Sequence, residues 1–137
     1  MENRELVMEA LKARKQAYCP YSGFAVGAAL LCADGRVFTG CNIENAAYPA
    51  TNCAERTAIF KAVSEGERDF TAIALCGGLN GVVKDYCAPC GVCRQVMAEF
   101  CDPETFEILL ATENGVEEAY LLKELLPRGF RKSRLEE

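Results

Sequence analysis

Residues 84–95 read KDYCAPCGVCRQ and place three cysteines in the overlapping pattern C-x-x-C-x-x-C. Thiols this dense constrain the fold, because sulfurs that share an ion must be brought together by the elements that carry them. Two ligands here and one elsewhere make an open metal site. Three here and one elsewhere make a closed structural zinc site or an iron–sulfur cluster. Disulfides are not the expected alternative. The cysteine count is nine, an odd number, and the opening MENRELVMEALKARKQAY has charges throughout and no apolar signal segment. The expected compartment is therefore the reducing cytoplasm. Cys19, Cys32, Cys41, Cys76 and Cys101 stand singly among apolar or small residues and read as small buried hydrophobes.

The 137 residues suit one domain, residues 1–137, with a core of its own. No apolar run approaches the roughly 18 residues that a membrane span needs. A net charge of −5 and an isoelectric point near 4.9 argue against a nucleic-acid partner. The single basic patch, RGFRKSR at residues 128–134, is diluted by Glu136 and Glu137. The chain contains no histidine. That removes the commonest general base and zinc ligand, and leaves acid–base chemistry to Glu, Asp, Cys or Tyr.

Hydrophobic periodicity predicts a first helix over residues 3–18, with Leu6, Val7, Ala10, Leu11, Ala13 and Ala17 on one face, ended by Pro20. Residues 25–33 and 36–42 form a hairpin about the Asp34-Gly35 turn. After an irregular connection, IENAAYPATN, a helix is expected over residues 53–66, with Ala58, Ile59, Ala62 and Val63 inward and Gly66 as its stop. TAIALCGG and FEILLAT read as central strands buried on both faces. Between them GVCRQVMAEF reads as a helix, with Val92, Val96 and Phe100 periodic. The turn Glu113-Asn114-Gly115 is too short for a parallel crossover, so VEEAYLL should return antiparallel. The fold expected is α/β: a three-layer α/β/α sandwich around a five-stranded mixed sheet. Right-handed crossovers then put the two middle helices on one face, with their N-termini side by side where ligands bind in open sheets.

Those two N-termini carry Cys53-Ala54-Glu55 and the cysteine cluster. Cysteines three apart in a first helical turn share a face. Pro89 favours a helix starting at Cys90, which makes Cys90 and Cys93 the working pair and leaves Cys87 outside it. Cys53 is the third ligand. Three thiolates and one position left to water describe a catalytic zinc site, favoured by two helix dipoles. Glu55 sits two residues after Cys53, placed to act as general base and then acid. Arg56 is placed to donate to the sulfurs and offset the surplus negative charge, with Arg94 a weaker candidate.

NCAERTAIFKAVSEG followed by APCGVCRQV, together with PYSGFAVGAALL, GCNIENAAY and ELLPRGF, strongly resembles the small homotetrameric cytidine deaminases over nearly the whole chain. The resemblance implies one zinc per subunit on Cys53, Cys90 and Cys93, with Glu55 as the proton shuttle. It implies that Ala54 holds the pyrimidine through its backbone, that Asn42 and Glu44 bind the ribose hydroxyls, and that Phe24 lies against the base. Tyr48, near the 5′-hydroxyl, and Phe130 would reach a neighbouring subunit's site. The substrate implied is a free cytidine or deoxycytidine rather than a nucleic acid, in pyrimidine salvage. The chain departs from that pattern in a longer loop, GGLNGVVKDYCAPC, and in the additional Cys87.

Overall fold

The computed structural model describes residues 1–79 and 89–127. Helix α1 spans Asn3–Arg14, strands β1 and β2 span Phe24–Cys32 and Val37–Cys41, and a short 3₁₀ turn covers Tyr48–Ala50. Helix α2 (Ala54–Ser64), strand β3 (Phe70–Leu79) and helix α3 (Gly91–Phe100) follow. Strands β4 (Glu107–Thr112) and β5 (Gly115–Leu121) lead into helix α4 (Leu122–Leu125).

The five strands make one sheet in the order β2-β1-β3-β4-β5. Only β3 and β4 pair parallel; the other neighbours are antiparallel. Alternate residues of the central strands serve two cores. On one face Leu30, Ile73, Leu75, Ile108 and Leu110 meet Ala58, Ile59 and Ala62 of α2 and Met97 of α3. On the other, Ala29, Ala74, Cys76 and Leu109 meet Leu6, Val7 and Ala10 of α1. Each fully buried branched side chain among these contributes about 1.5–3 kcal/mol of transfer free energy. The expected three layers and mixed sheet are present, with α2 and α3 sharing a face. Both β2 and β3 end where β1 begins, since Gly27 pairs with Cys41 and Phe24 with Leu79. The connections to α2 and α3 therefore leave the sheet at one end.

Four details differ from the expectation. Helix α1 stops at Arg14 rather than residue 18, because Tyr18 is drawn into an isolated bridge with Ile43. Its N–H donates to Asn42 O (3.0 Å), and its carbonyl accepts from Glu44 N (2.8 Å). Arg14 itself is buried on the apolar face. In α3 the buried stripe is Cys93 and Met97, whereas Val92 is exposed; the helix turns Cys93 toward α2, and Met97 lies one turn further along the same face. Helix α4 replaces the end of the predicted last strand. Its four residues are too few for periodicity to reveal, and Glu124 caps it by accepting Leu121 N–H at 2.8 Å. Among the scattered cysteines, Cys32, Cys76 and Cys101 are buried, while Cys19 and Cys41 are half-buried. Residues 80–88, where the longer loop with Cys87 is expected, and the basic patch with Phe130 lie outside the described residues. No helix among the described residues is long and apolar enough to cross a membrane.

Two glycines let helices lie directly on the sheet. A Cβ on Gly27 would stand 2.0 Å from Ala10 O of α1, and one on Gly40 would stand 2.5 Å from Ala54 O and Ala58 N of α2. Because backbone atoms are in the way, relief requires moving a helix. Gly40→Ala is therefore expected to destabilise the protein by about 3 kcal/mol, the upper end of ordinary overpacking. Urea unfolding measures this. Gly91→Ala, whose added methyl meets nothing within 4 Å, should leave the midpoint unchanged or raise it, and equal midpoints for all three proteins would contradict the close approach.

Candidate active site

Cys53 and Cys90 are the N-cap residues of α2 and α3, both in extended geometry. A helix start leaves main-chain N–H groups unsatisfied and carries positive partial charge, so it favours an ionised sulfur. Cys90 Sγ makes the cap directly, accepting Cys93 N–H at 3.4 Å. The Sγ atoms of Cys53 and Cys90 are 3.7 Å apart, those of Cys90 and Cys93 3.2 Å, and all three lie within 4.8 Å of one another. Cys93 is buried, Cys53 half-buried and Cys90 exposed, so the cluster faces outward on one side.

Arg56 Nη2 donates to Cys53 Sγ at 3.4 Å, and Arg56 Nε is buried with no partner among the described residues. Hydrogen bonds from the Cys93 thiol, and then from Arg56 and Cys90, bring the Cys53 thiol down to about 5. Cys93 moves the opposite way, because its proton is committed to Cys53 and it is buried. Three sulfurs on two helix starts, one of them readily ionised and none paired as a disulfide, suit a soft or borderline ion such as zinc. The set supplies three ligands, and the candidate fourth, Cys87, lies outside the described residues.

Glu55 is buried beside this cluster, at 5% exposure. Burial raises its pKa, and the charge of Cys53 adds to the effect. Glu55, Cys53, Cys90, Ala54, Phe24, Asn42 and Glu44 all line one cavity of about 320 Å³, within the range of small-molecule sites. Elements far apart in the chain meet there: the first residue of β1, the residues after β2 and the two helix starts. The carboxylate of Glu44 accepts Tyr21 N–H (3.0 Å) and Ser22 N–H (3.1 Å), and also the Ser22 hydroxyl. These donors hold its pKa below the usual carboxylate value, the hydroxyl contributing most. The Asn42 side chain is turned to main chain instead, accepting Val26 N–H and donating to Phe24 O, both at 2.8 Å.

Tyr48 is 87% exposed and lines an adjacent cavity that shares Ser22, Glu44 and Thr51 with the first. Arg94 does not reach the sulfurs as considered from sequence. Its Nε donates to Pro89 O (2.8 Å) and its Nη1 to Leu125 O (3.0 Å), so it ties the start of α3 to α4. Thr57 and Asn52 carried no sequence signal, yet they steady the Cys53 main chain. Asn52 Nδ2 donates to Thr57 Oγ1, which donates to Cys53 O, both at 3.1 Å.

The family model for the cytidine and deoxycytidylate deaminase zinc-binding region matches residues 1–108. The chain belongs to this deaminase family. A cytidine deaminase of Sporosarcina psychrophila is 52% identical over 135 residues, covering 98% of this chain and 96% of its own. One from Halalkalibacterium halodurans is also 52% identical, over 95% of both chains. The crystal structure of cytidine deaminase from Burkholderia pseudomallei superposes with a TM-score of 0.87 at 47% identity, covering 95% of this chain and all of that one. That of Mycobacterium tuberculosis gives 0.77 at 41%, over 92% and 94%. The zinc-binding family and the three converging thiols agree on the metal.

Replacing Cys53, Cys90 or Cys93 by alanine should cut bound zinc from about one per chain to well below half. Elemental analysis of desalted protein measures this. Cys101→Ala, one of the buried cysteines outside the cluster, should leave the content unchanged. Full zinc in Cys90→Ala would contradict the ligand set.

Proposed function

We propose that this chain, as one catalytic domain over residues 1–137, hydrolyses cytidine and deoxycytidine to uridine and deoxyuridine with release of ammonia, in cytoplasmic pyrimidine salvage. The observation that carries this reading is the buried Glu55 in the same cavity as Cys53 and Cys90. A carboxylate beside three metal-ligating thiols is the arrangement needed to move protons during hydrolysis.

Cys53, Cys90 and Cys93 would hold a zinc ion, which would supply a Lewis acid that acidifies water. Glu55 removes a proton from the attacking water and delivers it to N3 of the cytosine as C4 becomes tetrahedral. A second transfer through Glu55 moves the remaining hydroxyl proton to the exocyclic nitrogen, which leaves as ammonia while the C4 carbonyl forms. Cytidine and water are thereby converted to uridine and ammonia with no other reactant. Arg56, which donates to Cys53 Sγ, offsets the charge of the sulfurs. Phe24 and the Ala54 main chain hold the base, and Glu44 and the second N–H of the Asn42 amide, beyond the one given to Phe24 O, hold the sugar.

The substrate is a free nucleoside, with neither nucleic acid nor membrane as partner. The working assembly is a homotetramer, in which Tyr48 and Phe130 complete a neighbour's site. The 87% exposure of the Tyr48 ring at the rim of a cavity supports that role.

Glu55→Gln keeps the shape of the side chain but cannot take a proton. It is expected to retain zinc and lose cytidine turnover by about 10²–10⁴-fold, followed as the ultraviolet absorbance change on deamination. Wild-type rates in zinc-loaded Glu55→Gln would remove Glu55 from the mechanism.

A further inference from the structure

The Glu44 carboxylate is held at both oxygens before any ligand arrives. Oε1 accepts two main-chain N–H groups, from Tyr21 and Ser22, and Oε2 accepts the Ser22 hydroxyl at 2.5 Å. A carboxylate offers about four acceptor positions, so these three donors leave one, on Oε2. Ser22 Oγ in turn accepts the Phe24 N–H at 3.0 Å. One hydroxyl thus links the carboxylate to the first residue of β1.

Asn42 frames the same stretch from the other side, bonded to Phe24 O and Val26 N. Ser22, Phe24, Asn42 and Glu44 share the cavity that holds Glu55. The hydroxyl proton of Ser22 is committed to Glu44, so it has none to offer a ligand. It acts on Glu44, not on what Glu44 binds.

We propose that Ser22 is a positioning residue for recognition of the sugar: its hydroxyl fixes Glu44 so that the remaining acceptor position on Oε2 meets a ribose hydroxyl. This rests on the reading of Glu44 as the sugar-binding carboxylate. Without the Ser22 hydroxyl, Oε2 gains a second open acceptor position and the half-exposed side chain gains rotamers, so binding must order it. The zinc ligands and Glu55 make no use of that bond, and Phe24, which loses the Ser22 acceptor for its N–H, stays anchored through its carbonyl to the Asn42 amide. Its loss should weaken binding of sugars that carry hydroxyls and leave the chemical step alone.

The test compares wild type, Ser22→Ala and Ser22→Thr, with zinc content measured for each. The readouts are kcat and KM for cytidine, and inhibition constants for uridine and 2′,3′-dideoxyuridine, which differ only in the two sugar hydroxyls. Ser22 is exposed on a loop, and Ser22→Thr retains the hydroxyl should alanine disturb the loop. Ser22→Ala is expected to raise the cytidine KM and the uridine inhibition constant up to about tenfold, the cost of ordering the freed Glu44 side chain on binding. It should leave kcat and the dideoxyuridine constant within about twofold of wild type. Ser22→Thr should return the uridine constant to near wild type. Equal weakening of uridine and dideoxyuridine, or a fall in kcat, overturns the proposal. Wild-type protein that binds both products equally overturns the sugar-binding reading of Glu44, and wild type that leaves cytidine unchanged overturns the deaminase reading.

Discussion

Sulfurs repel one another once ionised, so three cysteines whose sulfurs lie within 4.8 Å need something that offsets the charge as it develops. Here it is the positive ends of two helices, the Arg56 guanidinium and protons shared between the thiols, with zinc taking over in the loaded protein. Two helix starts can stand together only if their strands end at the same side of the sheet and their helices return over the same face. The order β2-β1-β3-β4-β5 meets both conditions. Gly40 completes them by letting α2 sit on β2 with no side chain between.

A second theme is side chains that stand in for main chain at the rim of the sheet. Strand β2 ends at Cys41, yet the Asn42 amide continues the pairing with β1 by bonding Phe24 O and Val26 N. On the far side Arg14, buried at the end of α1, donates to Ala25 O and Gly78 O, each at 2.9 Å, and so spans the ends of β1 and β3. Buried carbonyls that the ladder would leave open are satisfied this way, and the positions of Phe24 and the cavity wall are fixed with them. The cavity wall is thus braced by polar side chains, whereas the sheet beneath is braced by apolar packing.

That division explains what the sequence revealed. The strands and the two-sided burial were legible because continuous apolar runs such as TAIALCGG suit only a covered sheet. The convergence of Cys53, Cys90 and Cys93 was legible because Pro89 marks a helix start and three-residue spacing marks a face. Arg14, Arg94, Ser22 and Thr57 were misread or passed over. Each bonds backbone brought near by the fold, or a turn that could be of many kinds, and no spacing rule encodes such a partner. The Met97 stripe was missed for a related reason: Val92 fits the helical period equally well, and only the turn of Cys93 toward α2 decides between them.

The central claim is that two helix starts deliver three thiolates and leave the fourth position of the zinc free of protein sulfur. X-ray absorption fine structure at the zinc edge of the loaded enzyme tests this directly. The account predicts three sulfur neighbours at about 2.3 Å and one lighter oxygen or nitrogen neighbour. Four sulfur neighbours in the wild type, falling to three in Cys87→Ala, would contradict it and make the centre a closed one.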